Sequence, residues 1–344
     1  VHRHPAAINP IRTNMPEIRT LQRPLPNHIP PVLRKLSLPV IASPMFTVSY
    51  PDLVLAQCKA GIVGSFPALN ARQPELLDEW LSSMKQELQA YQRDNPQAIV
   101  GPIAVNQIAH ASNVRLEQDV ATCIRHKVPI LITSLRAPAP EIIAEVHAYG
   151  GIILHDVINL RHAMKALEAG VDGLILVAAG AGGHAGTLSP MALVGEVRKR
   201  FNGLLALSGS IATGDAILAA QAMGADFAYM GTRFIASVEA NASEEYKQSL
   251  LRAGASDIIY SNLFSGVHGN YVRESIERSG LDPDNLAVAD KSKMSFAEGR
   301  SKAKAWKDIW GAGQGVAVID DLPTTAEIVA RLKREYAAAR ERIS

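Results

Sequence analysis

Residues 204–230 read LLALSGSIATGDAILAAQAMGADFAYM and contain a strand, a helix and a second strand, in that order. The predicted strands are the apolar runs Leu204–Leu207 and Phe227–Met230, and the predicted helix between them is Asp215–Met223. A helical crossover between two apolar strands is typical of parallel β-structure, in which helices cover the faces of the sheet. This segment therefore predicts an α/β fold.

The same alternation of strand and helix runs from residue 38 to residue 230. About eight strands are predicted, at Leu38–Ala42, Gly61–Ser65, Ile99–Val105, Ile130–Thr133, Gly151–Leu154, Gly173–Val177, Leu204–Leu207 and Phe227–Met230. Helices are predicted between them, at Asp52–Ala60, Pro74–Arg93, Leu116–His126, Pro140–Tyr149, Leu160–Ala169, Pro190–Arg200 and Asp215–Met223.

Parallel strands in this number close into a (β/α)8 TIM barrel, whose active site lies on the loops that follow the strands. An open doubly wound sheet is the alternative, but no GxGxxG motif follows the first strand, as a dinucleotide-binding fold of that kind would require. The composition agrees with a barrel. Hydrophobic residues make up 47% of the chain and aromatic residues only 5%, so the core relies on small aliphatic side chains, as in helix-covered parallel sheets.

Three segments are predicted along the 344 residues. Residues 1–30 form an N-terminal extension, and an expression remnant is one interpretation of residues 1–14, which differ in composition from the rest. Residues 31–237 and 319–344 form the barrel, a fold that typically takes about 250 residues. Residues 238–318 are rich in charge and show no strand alternation, so they are predicted to be a mainly helical insertion after strand eight, near the substrate mouth.

Charge and cysteine content exclude several classes of protein. The net charge is +2, and no stretch clusters basic with aromatic residues, so no nucleic-acid partner is expected. Cys58 and Cys123 lack CxxC spacing, which argues against a disulfide scaffold or zinc site and fits a reducing compartment. No apolar run approaches the roughly 20 residues of a membrane helix, and no signal-peptide pattern is present. We expect a cytoplasmic protein without a membrane partner. Whether the protein forms a homodimer stays open.

A glycine-rich loop with one histidine is the main candidate for chemistry. Residues 180–190 read GAGGHAGTLSP and follow the predicted strand Gly173–Val177. Glycine lets a backbone approach a ligand closely, and the pKa of histidine lies near neutral pH. His184 is therefore a candidate catalytic base, although a turn residue with a satisfied ring is an equal alternative at this point.

Two further loops predict a phosphate site. After the seventh strand, Gly209 and Ser210 offer backbone and hydroxyl donors, and the helix that starts near Thr213 would add its positive end. After the eighth strand, Gly231 and Thr232 would supply the facing donors. The loops after the last two strands hold a phosphate in many barrels. With the glycine-rich shelf around His184, they indicate a cofactor with a flat ring and a phosphate tail, above all FMN.

The other strand ends supply the remaining candidates for cofactor contacts. These are Ser43, Pro44 and Met45 after strand one, Asn106 after strand three, Ser134 after strand four, His155 and Asp156 after strand five, and Gln314 within WGAGQG at residues 310–315. Met45 could pack on the ring or simply fill the core, and Asn106 could bond its pyrimidine side. Asp156 could meet the cofactor or cap a helix. No HExxH or His–carboxylate cluster is present, so no metal is predicted.

These motifs resemble the nitronate monooxygenases, formerly called 2-nitropropane dioxygenases. The resemblance extends from Leu38 to about Glu327. It rests on GAGGHAGTLSP, on LSGSIATGDAILAAQAMGADFAYMGTRF at residues 207–234, on AVNQI at residues 104–108, and on WGAGQG followed by VIDDLPT. The GGH triplet alone also occurs in FMN-dependent enoyl-acyl-carrier-protein reductases.

The resemblance implies an FMN-dependent TIM barrel that oxidises alkyl nitronates, or the parent nitroalkanes, with O2 to a carbonyl compound and nitrite. His184 matches the catalytic base, which removes the α-proton of a nitroalkane or steadies the bound nitronate. The family's FMN contacts correspond to Ser43, Pro44, Met45, Asn106, Gly182, Gly183, Gly209, Ser210, Gly231 and Thr232.

Two strand ends depart from the family pattern, and two other functions stay open. The first strand ends in ASPMF at residues 42–46, where many relatives carry a QGGM-like ending. Some relatives carry an FMN-binding lysine where this chain has Asp156, and His155 or Ser134 would compensate here. The alternative function is an FMN-dependent NAD(P)H:quinone or enoyl-thioester reductase. A non-catalytic flavin-binding protein is a third interpretation, against which the histidine itself argues.

Overall fold

Eight strands form one parallel barrel in the computed structural model, which describes residues 28–110, 112–288 and 308–343. Most of the predicted N-terminal extension therefore lies outside the described residues. Around the barrel the strands follow the order Val40–Ala42, Phe227–Met230, Leu204–Ser208, Gly173–Val177, Ile152–Val157, Ile130–Leu135, Ile103–Ala109 and Gly64–Pro67, and every neighbouring pair is parallel. A parallel bridge between Ile41 and Val63 joins the first of these strands to the last and closes the barrel. The predicted (β/α)8 TIM barrel is confirmed.

The barrel strands are β1 (Val40–Ala42), β2 (Gly64–Pro67), β3 (Ile103–Ala109), β4 (Ile130–Leu135), β5 (Ile152–Val157), β6 (Gly173–Val177), β8 (Leu204–Ser208) and β9 (Phe227–Met230). Three short strands lie outside the barrel: β7 (Gly183–His184), β10 (Ile258–Ser261) and β11 (Gly269–Val272). The helices are α1 (Pro51–Lys59), α2 (Pro74–Asp94), α3 (Leu116–Arg125), α4 (Pro140–Ala148), α5 (Leu160–Ala169), α6 (Pro190–Arg198), α7 (Gly214–Met223), α8 (Thr232–Ile235), α9 (Glu244–Arg252), α10 (Arg273–Arg278) and α11 (Thr325–Ile343).

Helix ends follow from local sequence signals. The side chain of Asn159 caps α5 by accepting a hydrogen bond from the backbone N–H of His162, and Gly170 ends that helix in the left-handed conformation. Thr213 and Gly224 do the same for α7. Short polar residues at the start and glycine just beyond the end are the preferred caps of a helix, which is why the predicted bounds of these helices lie close to the observed ones.

Alternation along each strand separates the barrel interior from the helix layer. In β5, Ile152 and Leu154 pack inside the barrel, whereas Ile153 and Val157 pack against the surrounding helices. Leu33 joins the interior cluster. The short 3₁₀ helix that contains Leu33 lies at the end of the barrel where the strands begin. The contact of His28 shows this, since its Nε2 lies 2.9 Å from Asp226, the residue just before β9. That end is filled by apolar side chains, so the opposite end is left for the site.

The insertion contains strands that the sequence analysis did not predict. β10 and β11 pair antiparallel, and β11 also pairs with β7, so that Gly269 lies opposite His184. The sequence shows no clear strand alternation in residues 238–318, because strands of four residues are too short to produce one. The two helices α9 and α10 agree with the predicted helical content. The boundaries of the insertion stay a prediction.

Other expectations concern membrane helices, metals and cysteines. Across residues 28–110, 112–288 and 308–343, no helix is long and apolar enough to cross a membrane. In the same ranges, no group of three His, Cys, Asp or Glu side chains could hold a metal ion. Cys58 and Cys123 are free and buried, and burial raises the pKa of each thiol to about 12. Neither is therefore a reactive thiolate at neutral pH.

Candidate active site

A cavity of about 420 Å³ lies at the carboxyl ends of the barrel strands. Its volume is within the range usual for small-molecule and cofactor sites. Thirteen of the fifteen candidate site residues line it: Ser43, Pro44, Met45, Asn106, Ser134, Asp156, Gly182, Gly183, His184, Gly209, Ser210, Gly231 and Thr232. Tyr246 and Val267 of the insertion complete the wall. The structure thus brings these residues together, and their roles stay predictions.

Two predicted residues do not line the cavity. His155 is buried on the outward register of β5, where its Nδ1 lies 2.8 Å from the hydroxyl of Thr133, and burial lowers its pKa to about 4. Asp156, one position later, points inward instead and lies on the cavity wall. Gln314 is exposed, and its backbone N–H donates to the carbonyl of Gly180 over 2.9 Å. A cofactor contact is therefore expected of Asp156 rather than of His155 or Gln314.

A chain of polar side chains crosses the floor of the cavity. Asn106, Ser134 and Asp156 lie on the inward registers of β3, β4 and β5. Asn106 Nδ2 donates to the hydroxyl of Ser134 over 2.8 Å, and that hydroxyl donates to Asp156 Oδ2 over 2.6 Å. Asp156 Oδ1 is buried and has no hydrogen-bond partner within the described part of the chain. Burial raises the pKa of Asp156 to about 7, although the hydrogen bond from Ser134 opposes that rise.

Removal of this carboxyl should change how stability depends on pH. The pKa of Asp156 is about 7 in the folded protein, against an ordinary value of 3.8. The unfolded chain releases the proton first, so Asp156 destabilises the fold progressively as pH rises from 4 to 7 and fully above 7. We expect Asp156→Asn to raise the free energy of unfolding by on the order of 3 kcal/mol at pH 8 and by little at pH 4.

Urea denaturation of both proteins without added cofactor, at pH 4 and pH 8, measures this difference. If Asp156→Asn raises the free energy of unfolding equally at the two pH values, the pKa of Asp156 is not raised in the folded protein. Asp94→Asn is a matched control, because Asp94 is exposed at the end of α2. We expect the control to change the free energy of unfolding by less than about 0.5 kcal/mol at either pH.

His184 lies on the wall of the cavity at β7 and is held by the insertion. Its backbone pairs with Gly269 of β11, and its Nε2 lies 2.9 Å from the hydroxyl of Ser265. Ser265 is buried and donates its own proton to the carbonyl of Val267 over 2.9 Å. Burial lowers the pKa of His184 to about 4, so the imidazole is neutral at neutral pH.

The glycine-rich loop leaves room for a flat ligand. A Cβ atom built on Gly183 would meet nothing within 4 Å, whereas one built on Gly182 would lie 2.8 Å from the backbone nitrogen of Gly313. The loops around Gly182 and Gly313 thus pack backbone to backbone, and their surface at Gly183 is free of side chains. A planar ring can approach such a wall closely, so the shelf fits the ring of a flavin.

The other end of the cavity fits an anionic tail, but with one difference from the prediction. Gly209, Ser210, Gly231 and Thr232 lie on the wall as expected. The start of α7 does not, because the N–H of Gly214 donates to Glu335 Oε2 over 2.7 Å. The predicted contribution of that helix end to phosphate binding is therefore wrong. Backbone and hydroxyl donors of the two loops remain to hold a phosphate.

Backbone strain is concentrated on the cavity wall. Thr47, Leu135 and Ser210 have φ values of 63°, 77° and 56°, and all three line the cavity. Within the described residues, only Lys127 among the other non-glycine residues has a positive φ. Such conformations cost of order 1 to 3 kcal/mol and cluster at functional sites. Their location supports this cavity as the site of function.

Two buried asparagines that the sequence analysis missed hold the loops of the site. Asn70 accepts a hydrogen bond from the N–H of Thr47 and donates to the carbonyls of Met45 and Ser49. Asn270 of β11 donates to the carbonyl of Ala181 over 2.6 Å. Neither residue lies in a motif, so no local signal could have found them. Ser265 was missed for the same reason.

Comparison with known proteins adds the family. Residues 31–335 match the family model described as nitronate monooxygenase. A nitronate monooxygenase of Paraburkholderia phytofirmans is 28% identical over 351 residues, which cover 89% of this chain and 94% of that protein.

Solved structures share the fold. The nitroalkane oxidase of Streptomyces ansochromogenes superposes with a TM-score of 0.72 and 22% identity, covering 90% of this chain and 98% of that one. FabK from Thermotoga maritima gives a TM-score of 0.71 and 24% identity, with coverage of 91% and 96%. At these identities, the two structures show that the fold is shared, and they give no information about the substrate of this chain.

Proposed function

The chain belongs to the nitronate monooxygenase family, and from that premise we propose that it binds FMN and oxidises alkyl nitronates with O2 to a carbonyl compound and nitrite. The observation that carries this proposal is the position of His184 on the cavity wall, beside a glycine shelf and hydrogen-bonded to Ser265. A neutral imidazole and a side-chain-free surface next to each other suit a small substrate that lies against a flat ring.

The residues of the cavity divide into those that would hold the ring and those that would hold the phosphate. Gly182 and Gly183 would face the ring, and the loops of Ser210 and Thr232 would bind the phosphate through backbone and hydroxyl donors. When bound, the cofactor supplies the electron transfer that side chains cannot perform. The chain itself positions the substrate and handles its proton.

We infer the tautomer of His184 from the partners of Ser265. Ser265 has one hydroxyl proton, and the carbonyl of Val267 can only accept it. With that proton on the carbonyl of Val267, we propose that His184 Nε2–H donates to Ser265 and that the lone pair lies on Nδ1. Because the pKa of His184 is only about 4, removal of a proton from carbon is unfavourable, and a nitronate already formed should be the better substrate.

An assay of the purified protein tests the proposed function. With FMN and air, propyl nitronate should yield nitrite, nitropropane should react more slowly, and NADH with a quinone should give no turnover. Anaerobic mixing with NADH separates the alternative function, because rapid bleaching of the flavin would indicate an NAD(P)H-dependent reductase. Rapid bleaching of the flavin by NADH, together with no nitrite release from propyl nitronate, would overturn the proposal.

Ser265 is expected to act as a positioning residue for His184. Ser265→Ala should lower kcat for a nitronate by about tenfold with little change in KM, because a hydrogen bond worth roughly 1 to 1.5 kcal/mol no longer orients the imidazole. ¹⁵N NMR of the histidine rings should show the Nε2–H tautomer in the wild type and a mixture in the variant, with His184→Asn used to assign the signals.

Ser256→Ala is the matched control for this prediction, because Ser256 is exposed in the same insertion. It should leave both kcat and the ring signals unchanged. If Ser265→Ala lowers kcat while the His184 signals keep the wild-type tautomer, then Ser265 does not set the tautomer.

A further inference from the structure

The floor of the cavity carries a chain of hydrogen bonds whose direction is determined. Asn106 Nδ2 donates both to the carbonyl of Ile132, over 3.3 Å, and to the hydroxyl of Ser134. A carbonyl can only accept, so the amide group of Asn106 faces Ser134 with its NH₂ side. The single proton of Ser134 is then left for Asp156 Oδ2.

This direction assigns the two oxygens of Asp156 different roles. Oδ2 accepts from Ser134, so a proton on the carboxyl group lies on Oδ1. Oδ1 is buried, belongs to a residue of the cavity wall, and has no hydrogen-bond partner in residues 28–110, 112–288 and 308–343. A buried polar atom without a partner is rare in folded proteins and calls for a ligand or water.

The groups that face Asp156 do not favour its charged form. No lysine or arginine occurs among the described residues of the cavity wall. Tyr229 of β9 is buried, and its pKa is raised by burial and by Asp156. His162 of α5 and His184 of β7 line the same cavity, and burial lowers the pKa of each. β4 contributes the hydroxyl of Ser134, and β6 contributes apolar side chains.

We propose that Asp156 binds the cofactor as a neutral acid, with Oδ1–H donating a hydrogen bond to a carbonyl or unprotonated ring nitrogen on the pyrimidine side of the flavin. This inference rests on the proposed function only as far as FMN binding. The pyrimidine side of a flavin offers two carbonyl oxygens, so a fixed donor in the floor of the cavity has acceptors to meet. An ionised Asp156 could only accept, and binding would then depend on pH in the opposite sense.

Titration of FMN onto cofactor-free protein, followed by quenching of flavin fluorescence from pH 6 to pH 8.5, tests the proposal. The pKa of Asp156 is about 7, so loss of the donor should raise the Kd of the wild type up to about tenfold between pH 6 and pH 8. Asp156→Asn keeps a donor at every pH, so its Kd should lack this rise. The FMN phosphate ionises near pH 6 and affects both proteins equally, so its effect drops out of the ratio of the Kd of the wild type to the Kd of Asp156→Asn.

Two further variants separate Asp156 from its neighbours. Ser134→Ala removes the hydrogen bond that lowers the pKa of Asp156, so the rise in Kd should move to higher pH. His162→Gln should leave the rise where it is. This measurement also holds if Asp156→Asn fails to fold, because the wild type and Ser134→Ala alone show the rise and its displacement.

Each result has one meaning for the proposal. A Kd that is flat or that falls as pH rises in the wild type would overturn the neutral donor. Failure of the wild type to bind FMN at any pH would overturn both this inference and the proposed function. The expected Kd profile in a protein that releases no nitrite from nitronates would support the donor and overturn only the proposed reaction.

Discussion

His184→Asn is expected to lower kcat/KM for a neutral nitroalkane by about 10²- to 10⁴-fold, while the protein still binds FMN and stays yellow. Asparagine can keep a hydrogen bond to Ser265, but it has no site that accepts a proton at neutral pH. The loss should be smaller for a preformed nitronate, because that substrate has already lost its α-proton. Initial rates of nitrite release with nitropropane and with propyl nitronate measure the two effects.

His268→Asn is the matched control for this variant. His268 lies close in space, where its backbone carbonyl accepts a hydrogen bond from Ala185 and its ring stacks on Tyr260, but its side chain does not line the cavity. We expect that variant to keep turnover within about threefold of the wild type. Equal rates for His184→Asn and the wild type would remove His184 from the proposed chemistry.

Gly183→Leu is expected to abolish FMN binding, raising Kd by at least about 100-fold. A side chain at this position meets nothing within 4 Å in the protein and therefore occupies the space above the shelf. The backbone there has a φ of 66°, so the substitution also costs of order 1 to 2 kcal/mol of strain. FMN titration by fluorescence quenching measures the first effect, and urea denaturation the second.

Gly150→Leu separates steric block from strain. Gly150 has a φ of 83°, has open space around its Cβ position, and is exposed in the turn between α4 and β5. It should lose a similar amount of stability and bind FMN as the wild type does. If both variants bind FMN normally, the ring does not lie on the glycine shelf, and the assignment of Gly183 fails.

The barrel could be predicted because its signals are local. Strands such as Gly173–Val177 are continuous apolar runs, and helices such as α5 and α7 carry their own caps, so neighbouring residues in the chain contain most of the information. The residues directly after each strand could also be predicted to line the cavity, because parallel strands in a barrel all end at one face.

Registers and long-range contacts could not be predicted in the same way. Side chains alternate between the two faces of a strand, so without the register the sequence could not decide that Asp156 rather than His155 faces the cavity. The strands β10 and β11 have only four residues each, and the pairing of β11 with β7 joins Gly269 to His184, about 85 positions apart in the chain. Gly214 at the start of α7 lies 121 positions along the chain from its partner Glu335 in α11.

Local patterns in the amino-acid order were thus enough to establish the barrel, the family, the face that carries the site and His184 as its candidate base. The partners that set the chemistry of that site came from folding: Ser265 beside His184, and Ser134 beside the partly buried Asp156. The physical reason is that residue type and spacing determine local conformation, whereas burial and hydrogen-bond partners, which control the pKa and tautomer of a side chain, depend on residues that only the folded chain brings together.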